Sequence, residues 1–492
     1  MAEVLTMLMF CAVLFVSVGF GWSIIPALLV GVLLFTGYGL VRRVPLHSMA
    51  MHAAGSMRSA STVLVTFMLI GLLTSLWRAS GTIAYIVTHA TSIIHPITVI
   101  PLSFLLCAGM SVLTGSSFAS VATMGTICMS LGLSMGASPV TLGGAILAGI
   151  YVGDRCSPVS TSALLVAQLT HTNLFGNLGR MVRTGAIPFA LSCVVYVVIA
   201  WAQAGGDMMV DAGAARHSPV AGSIYGSGDA AGPGNVADLF SSAFQLHWVT
   251  MMPAVVVIVM ALLCVDVRLT MLVSIAVSAT ICIGVQGMGF TGILRLLVFG
   301  YRSDDTRVAA LLNGGGVVSM VTVMAIVCIS AAYSGIFAQT HMLDRLRLAI
   351  SVMAGRLGAT TATVITAMGA AMLACNQTLA IMLTHQLCEG LHRTRGVLRN
   401  EADAASASDG FGDAVQVADE DADDRDRLAL AIEDSAVVIA PLVPWSIAGA
   451  VPLATINAPT SSLFAAVFLY TLPISRIIGD AFSRKHVCIQ RQ

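Results

Sequence analysis

Three acidic residues stand at the ends of long stretches that contain no other Asp, Glu, Lys or Arg. Asp154 follows Ala79–Gly153, and Glu433 and Asp434 precede Ser435–Ser475. After Asp154 come Arg155, Cys156, Ser157 and Pro158. The proline interrupts a helix, and Ser157, Ser160, Thr161 and Ser162 place hydroxyl oxygens beside the carboxylate. Hard cations take oxygen ligands of this kind, and a carboxylate in a low dielectric also holds a proton. One group that binds Na⁺ or H⁺ in turn is the smallest device for exchange. The competing explanation is a structural contact of Asp154 with Arg155 or with a helix end. Glu433 and Asp434, followed by Ser435, Pro441, Pro444 and Ser446, form a second constellation. Adjacent carboxylates leave a helix on different faces, so one of the two is expected as a second titrating or coordinating group.

Two polar islands interrupt apolar runs: Thr114–Gly115–Ser116–Ser117 and Cys375–Asn376–Gln377–Thr378. Ser116, Ser117, Asn376, Gln377 and Thr378 are expected to line a substrate pathway with neutral ligands, or to bond helix to helix. Of the other charges, Asp266 and Arg268 suit an interfacial turn, and Arg78 and Arg356 cap apolar runs and suit snorkelling. The 11 cysteines are scattered without a C-x-x-C pair, so neither a resident metal nor a cofactor is expected. H-E-x-x-H and G-x-S-x-G are both absent; no catalytic residues are assigned and an enzyme is not expected.

These residues need elements that hold them inside lipid. Of 492 residues, 57% are hydrophobic and 10% charged, against about 25% charged in soluble domains; mean hydropathy is +0.90. Basic and acidic residues balance at 24 each, which excludes the basic footprint of a nucleic-acid binder. The chain reads as an all-α integral membrane protein, a polytopic bundle of about 10–14 transmembrane helices at about 20 residues each. Residues 308–335, 428–445 and 457–476 are among the expected crossings, and 82–94, 158–168 and 376–388 are short pieces suited to half-spans. Residues 204–247 and 389–427 are polar and expected to be flexible loops. The chain then divides into 1–203, a linker at 204–247, and 248–492 carrying the acidic loop. Before Arg42 there is no basic residue, so a cleavable signal is not expected at the N-terminus. Arg42, Arg43 and Arg58 near the start, and Arg476, Arg484, Lys485 and Arg491 at the end, place both termini in the cytoplasm by the positive-inside rule. Membrane lipid and a transported cation and proton, or a small organic solute, are the expected partners. Oligomeric state, including a homo-oligomer, is left open.

The halves also resemble each other. Residues 70–83 (IGLLTSLWRASGTI) match 329–342 (ISAAYSGIFAQTHM), and 109–120 (GMSVLTGSSFAS) match 370–381 (AAMLACNQTLAI). Each half then reaches an acidic segment, Gly153–Asp154 or Glu433–Asp434. With an odd number of crossings per half, the repeats are inverted, as in many secondary transporters with broken helices at the binding site.

The segments LIGLLTSLWRASGT (69–82), TGSSFASVATMG (114–125), AGIYVGDRCSPVS (148–160), LNGGGVVSM (312–320) and LAIEDSAVVIAPLVPWSIAG (430–449) together resemble the NhaC-type sodium/proton antiporter family. The resemblance covers nearly the whole chain outside the two polar segments. It implies an inner-membrane exchanger of inverted repeats that moves Na⁺ against H⁺; some members exchange organic acids. The chain departs from that pattern at Thr161, where the family is acidic, at Leu164, where it has Asn, at Asn376, where it has Asp, and at Gly314, where it has Arg. Asp154, Glu433 and Asp434 remain.

Overall fold

A computed structural model describes residues 2–20, 22–59, 61–210, 233–263, 265–339, 344–403 and 412–489. These residues are helical almost throughout, which follows from the solvent: in hydrocarbon each backbone N–H and C=O must find its partner within the segment. Six helices are long and apolar enough to cross a membrane, among them Ile24–Val41, Leu46–Ala79, Leu174–Gln203 and Val267–Gly284. Two bent pairs raise the number to 8, and five shorter apolar helices of 10–17 residues accompany them among the described residues. The protein is a multi-pass membrane protein.

Twelve helices frame the site. In the first half they are α1 (Ser61–Ala79), α2 (Pro96–Thr114), α3 (Ser117–Ser134, with a π-helical turn at Val121–Gly125), α4 (Pro139–Cys156), α5 (Thr161–Thr170) and α6 (Leu174–Val210). The second half repeats the order with α7 (Val317–Gln339), α8 (Ala359–Ala374), α9 (Gln377–Asp403), α10 (Gly412–Glu433), α11 (Ile447–Thr455) and α12 (Val467–Ile489). Local chemistry sets the boundaries. Pro96 and Pro139 open α2 and α4, and Ser116, Ser160 and Ser446 cap α3, α5 and α11 through their hydroxyls.

Both halves break their helices where the polar islands stand. Gly115 (φ 63°) ends α2 and Cys375 (φ 51°) ends α8 in the same left-handed conformation. The second pair of breaks, α4 to α5 and α10 to α11, contains Pro158 and Pro441. Within each half the two breaks touch. Gly115 lies so close to Val159 that a methyl group there would sit 2.6 Å from the Val159 carbonyl carbon. In the second half the Ile447 N–H donates to the Cys375 carbonyl at 2.9 Å.

Two of the corresponding pairs run antiparallel. Along α1, Gly71 meets Gly316 and Met320, Ser75 meets Gly315, and Arg78 meets Leu312 and Asn313; the numbers rise on one side and fall on the other. From α6 to α12, Thr184 shares the Asp434 carboxylate with Arg476, Ser192 meets Thr471, and Tyr196 meets Val467. A half-turn about an axis in the membrane plane imposes this relation on equivalent helices. Small residues allow the close contacts. A methyl at Gly153 of α4 would lie 2.0 Å from the Ser111 carbonyl carbon of α2.

Several expected boundaries need correction. The run 308–335 is not one helix. It is divided between Thr306–Leu312 and α7 by Gly314, Gly315 and Gly316, all at positive φ, a backbone that glycine adopts without a Cβ clash. The run 428–445 breaks after Glu433, and 457–476 becomes helical in α12 only at Val467, after a 3₁₀ turn at Thr460–Ala465. The stretch expected as a flexible acidic loop is helical over 389–403 and 412–427, and residues 404–411 lie outside the described residues. Of the expected linker, 211–232 lie outside them too, and 233–243 form a helix.

Candidate functional site

The four breaks converge on Asp154, in the last turn of α4. Its side chain is buried, with the residue 3% exposed. One oxygen, Oδ2, accepts from the Gln377 side-chain amide at 2.8 Å and from the Ser162 hydroxyl at 3.1 Å. The backbone amide of Ser117 faces the same carboxylate. The starts of α3 and α9, one from each half, thus meet at a single carboxylate. Gln377 also donates to the Val437 carbonyl at 3.2 Å, and Tyr151, one turn before Asp154, donates to the Ala448 carbonyl at 2.6 Å. Among the described residues no Lys, Arg or His forms an ion pair with Asp154. Neutral donors steady the carboxylate without compensating its charge. The carbonyl ends of α2 and α8 lie at the same two breaks, and such broken ends supply cation ligands in transporters.

The other predicted oxygens divide. Ser160 caps α5 and donates to the Asp154 backbone carbonyl, not to its carboxylate. Ser157 donates to the Val112 carbonyl at 2.7 Å and packs the break against α2. Thr161 and Thr378 are exposed, on the far sides of their first helical turns. Ser116 and Asn376 act as corresponding caps: the Ser116 hydroxyl accepts from the Ala119 N–H at 3.3 Å, and the Asn376 side-chain Oδ1 from the Leu379 N–H at 2.8 Å. Ser435 returns its hydroxyl to the Ala431 carbonyl at 2.5 Å. A cleft beside the first break is lined by Thr114, Thr123, Thr270 and Met271, not by the predicted pathway residues.

Glu433 and Asp434 point into different surroundings. Glu433 is fully buried, and neither of its carboxylate oxygens has a hydrogen-bond partner among the described residues. Asp434 is clamped between two arginines. Its Oδ1 accepts from Arg155 Nη2, and its Oδ2 lies 2.8 Å from Arg476 Nε. Arg155 therefore turns away from its neighbour Asp154 and pairs across the halves. Sequence inspection missed this triad. The available signal was charge: two adjacent acids in an apolar bundle call for cations beside them. Arg78, expected to snorkel, is instead buried with its guanidinium on the Leu312 and Asn313 carbonyls.

With this geometry in place, comparison with known proteins decides the family. The model of the Na⁺/H⁺ antiporter family matches residues 2–173 and 149–407. The chain belongs to that family. A malate-2H⁺/Na⁺-lactate antiporter of Bacillus subtilis is 24% identical over 73% of this chain and 73% of its own length. The Na⁺/H⁺ antiporter NhaC of Alkalihalophilus pseudofirmus is 22% identical, covering 83% of this chain and 79% of its own. An arginine/ornithine antiporter, ArcD, of Halobacterium salinarum is 22% identical over 85% and 77%. A member of this family is a secondary transporter, and the broken-helix architecture around Asp154 is the part of the chain suited to transport.

Proposed function

We propose that this family member is a sodium/proton antiporter of the inner membrane, with both termini in the cytoplasm, in which Asp154 binds the transported ion. One observation carries the reading: a buried carboxylate sits where broken helices of both halves meet, held by neutral donors and with no ion-pair partner among the described residues. An intramembrane charge costs about 2.5–3.5 kcal/mol on insertion scales, and one without a counter-charge is suited to receiving a mobile one. Ser162, Gln377 and the backbone at the breaks supply further oxygens around it. Glu433, which faces the charges of Asp154, Arg155 and Asp434, is the second acidic group of the site. No chemical conversion and no cofactor enter this reading.

The test is exchange in vesicles holding the purified protein under an imposed Na⁺ or pH gradient. Na⁺ entry coupled to H⁺ exit, lost in Asp154→Asn, supports the reading; full exchange by that variant removes Asp154 from it. A second reading is favoured by the names of two relatives, which exchange organic or amino acids, and by the neutral Thr161 and Asn376. It is an ion-coupled exchanger of a small organic or amino acid. Solute counterflow in the same vesicles, with no Na⁺/H⁺ exchange in its absence, would select it.

A further inference from the structure

Arg155 is the nearest arginine in the chain to the proposed ion site, and the fold holds its guanidinium elsewhere. Nη2 donates to Asp434 Oδ1 and, at 2.7 Å, to the Thr184 hydroxyl; Nη1 lies 3.1 Å from the Cys156 sulfur. Gly185 makes the space: a methyl group there would stand 2.8 Å from Nη1. Asp434 is itself steadied from the other side by Arg476. The pocket is built by four helices, α4 and α6 from the first half and α10 and α12 from the second. Arg155 is fully buried, so a guanidinium deprived of Asp434 has no water to turn to and must find another anion. Two carboxylates stand near it without an ion pair among the described residues: Glu433, whose charge Arg155 also meets, and that of the preceding residue, Asp154, which pairing with Glu433 in Asp434→Asn would leave untouched.

We propose that Asp434 is a positioning residue: by anchoring the Arg155 guanidinium in the pocket of Thr184 and Gly185, it keeps a fixed positive charge away from Asp154. The charge of Asp154 is then left for the cargo. This rests on the ion-binding role of Asp154 argued above. It also gives the two adjacent acids at the end of α10 different tasks, since Asp434 is occupied by arginines and Glu433 forms no ion pair or hydrogen bond among the described residues.

The experiment uses the full-length protein in detergent and in vesicles. Reaction of Asp154 with dicyclohexylcarbodiimide, mapped by peptide mass spectrometry, reports whether an arginine has paired with it and needs no transport. Na⁺ affinity is read separately from Na⁺-dependent exchange. In Asp434→Asn, labelling of Asp154 should fall several-fold and Na⁺ affinity should weaken roughly tenfold or more, the loss of one close charge interaction. Adding Arg155→Gln to that variant should restore both, which a merely structural role for Asp434 would not do. Unchanged labelling in Asp434→Asn overturns the proposal, as does a folded double variant that recovers nothing. If Asp434→Asn does not fold, Arg155→Gln alone removes the guanidinium and leaves Asp434 to Arg476. Asp154 labelling and Na⁺ affinity should then stay at the wild-type level, because the charge removed was already held away from Asp154; a several-fold rise in labelling, which would show that Arg155 already pairs with Asp154 in the wild type, overturns the proposal. A wild type that follows the labelling pattern but exchanges no Na⁺ upholds the placement of Arg155 and removes the sodium reading alone.

Discussion

Asp154 and Asp434 are both buried acids, and their surroundings predict opposite responses to mutation. Asp154 has neutral donors and no ion pair among the described residues. Replacing it with Asn removes a charge that costs about 2.5–3.5 kcal/mol to insert, so the variant should melt at or above the wild-type temperature in detergent while losing exchange. A marked drop in melting temperature would mean that Asp154 is structural. Asp434→Ala leaves Arg155 buried without its anion and should destabilise the protein by about 3–5 kcal/mol, read as a lowered unfolding midpoint. The sequence reveals Asp154 because a lone acid after a charge-free run has few bland explanations, and Gln377 because its island matches one in the first half. It does not reveal which hydroxyls turn inward. Ser162 faces the carboxylate, whereas Ser157 and Thr161 do not, because the residue-by-residue rotation at a proline break depends on backbone angles that composition leaves open. Arg476 looks like an ordinary cytoplasmic-side charge until the fold brings Asp434 to it.

At the scale of elements, the site depends on how closely α4 approaches α2. Gly149 and Gly153 lie against Phe104, Cys107 and Ser111, and the nearest atoms to a methyl at Gly153 are backbone atoms 2.0–2.4 Å away. Backbone cannot rotate aside as a side chain does. Gly153→Ala should therefore force the helices apart, at a cost of at least about 1–3 kcal/mol for overpacking, and move the adjacent Asp154 away from Gln377. Lowered thermal stability together with lost exchange would bear this out; a variant with wild-type stability and transport would show that the contact is dispensable. Helix existence was largely legible, because long apolar runs leave no alternative in lipid. Breaks at the polar islands and prolines were legible for the same reason. The division of 308–335 by three glycines was harder to see, since the flanking residues are as apolar as those of a continuous span. The acidic stretch after Cys388 misled for the opposite reason: polar composition argues against a buried core, not against an exposed helix.

At the scale of the whole molecule, the antiparallel pair α6/α12 brings basic ends together. The start of α6 carries Arg180 and Arg183, and the end of α12 carries Arg476, Arg484 and Lys485. Asp434 joins these two ends through Thr184 and Arg476. The helix Leu46–Ser59, with Arg42 and Arg43 just before it, packs through His52 against Gly335, near the far end of α7. If this arginine-rich face is cytoplasmic, the segment between the halves is external, and the first half crosses an odd number of times. Single cysteines at His47→Cys and Asp238→Cys, both at exposed positions, test it with a membrane-impermeant maleimide mapped by peptide mass spectrometry. In intact cells Asp238→Cys should be labelled and His47→Cys protected, and inside-out vesicles should reverse the pattern. Labelling of both from the same side would give the first half an even number of crossings. The two halves would then share one orientation, and a half-turn in the membrane plane could not relate them. The antiparallel packing of α1 on α7 and α6 on α12 would have to arise from some other relation between the halves.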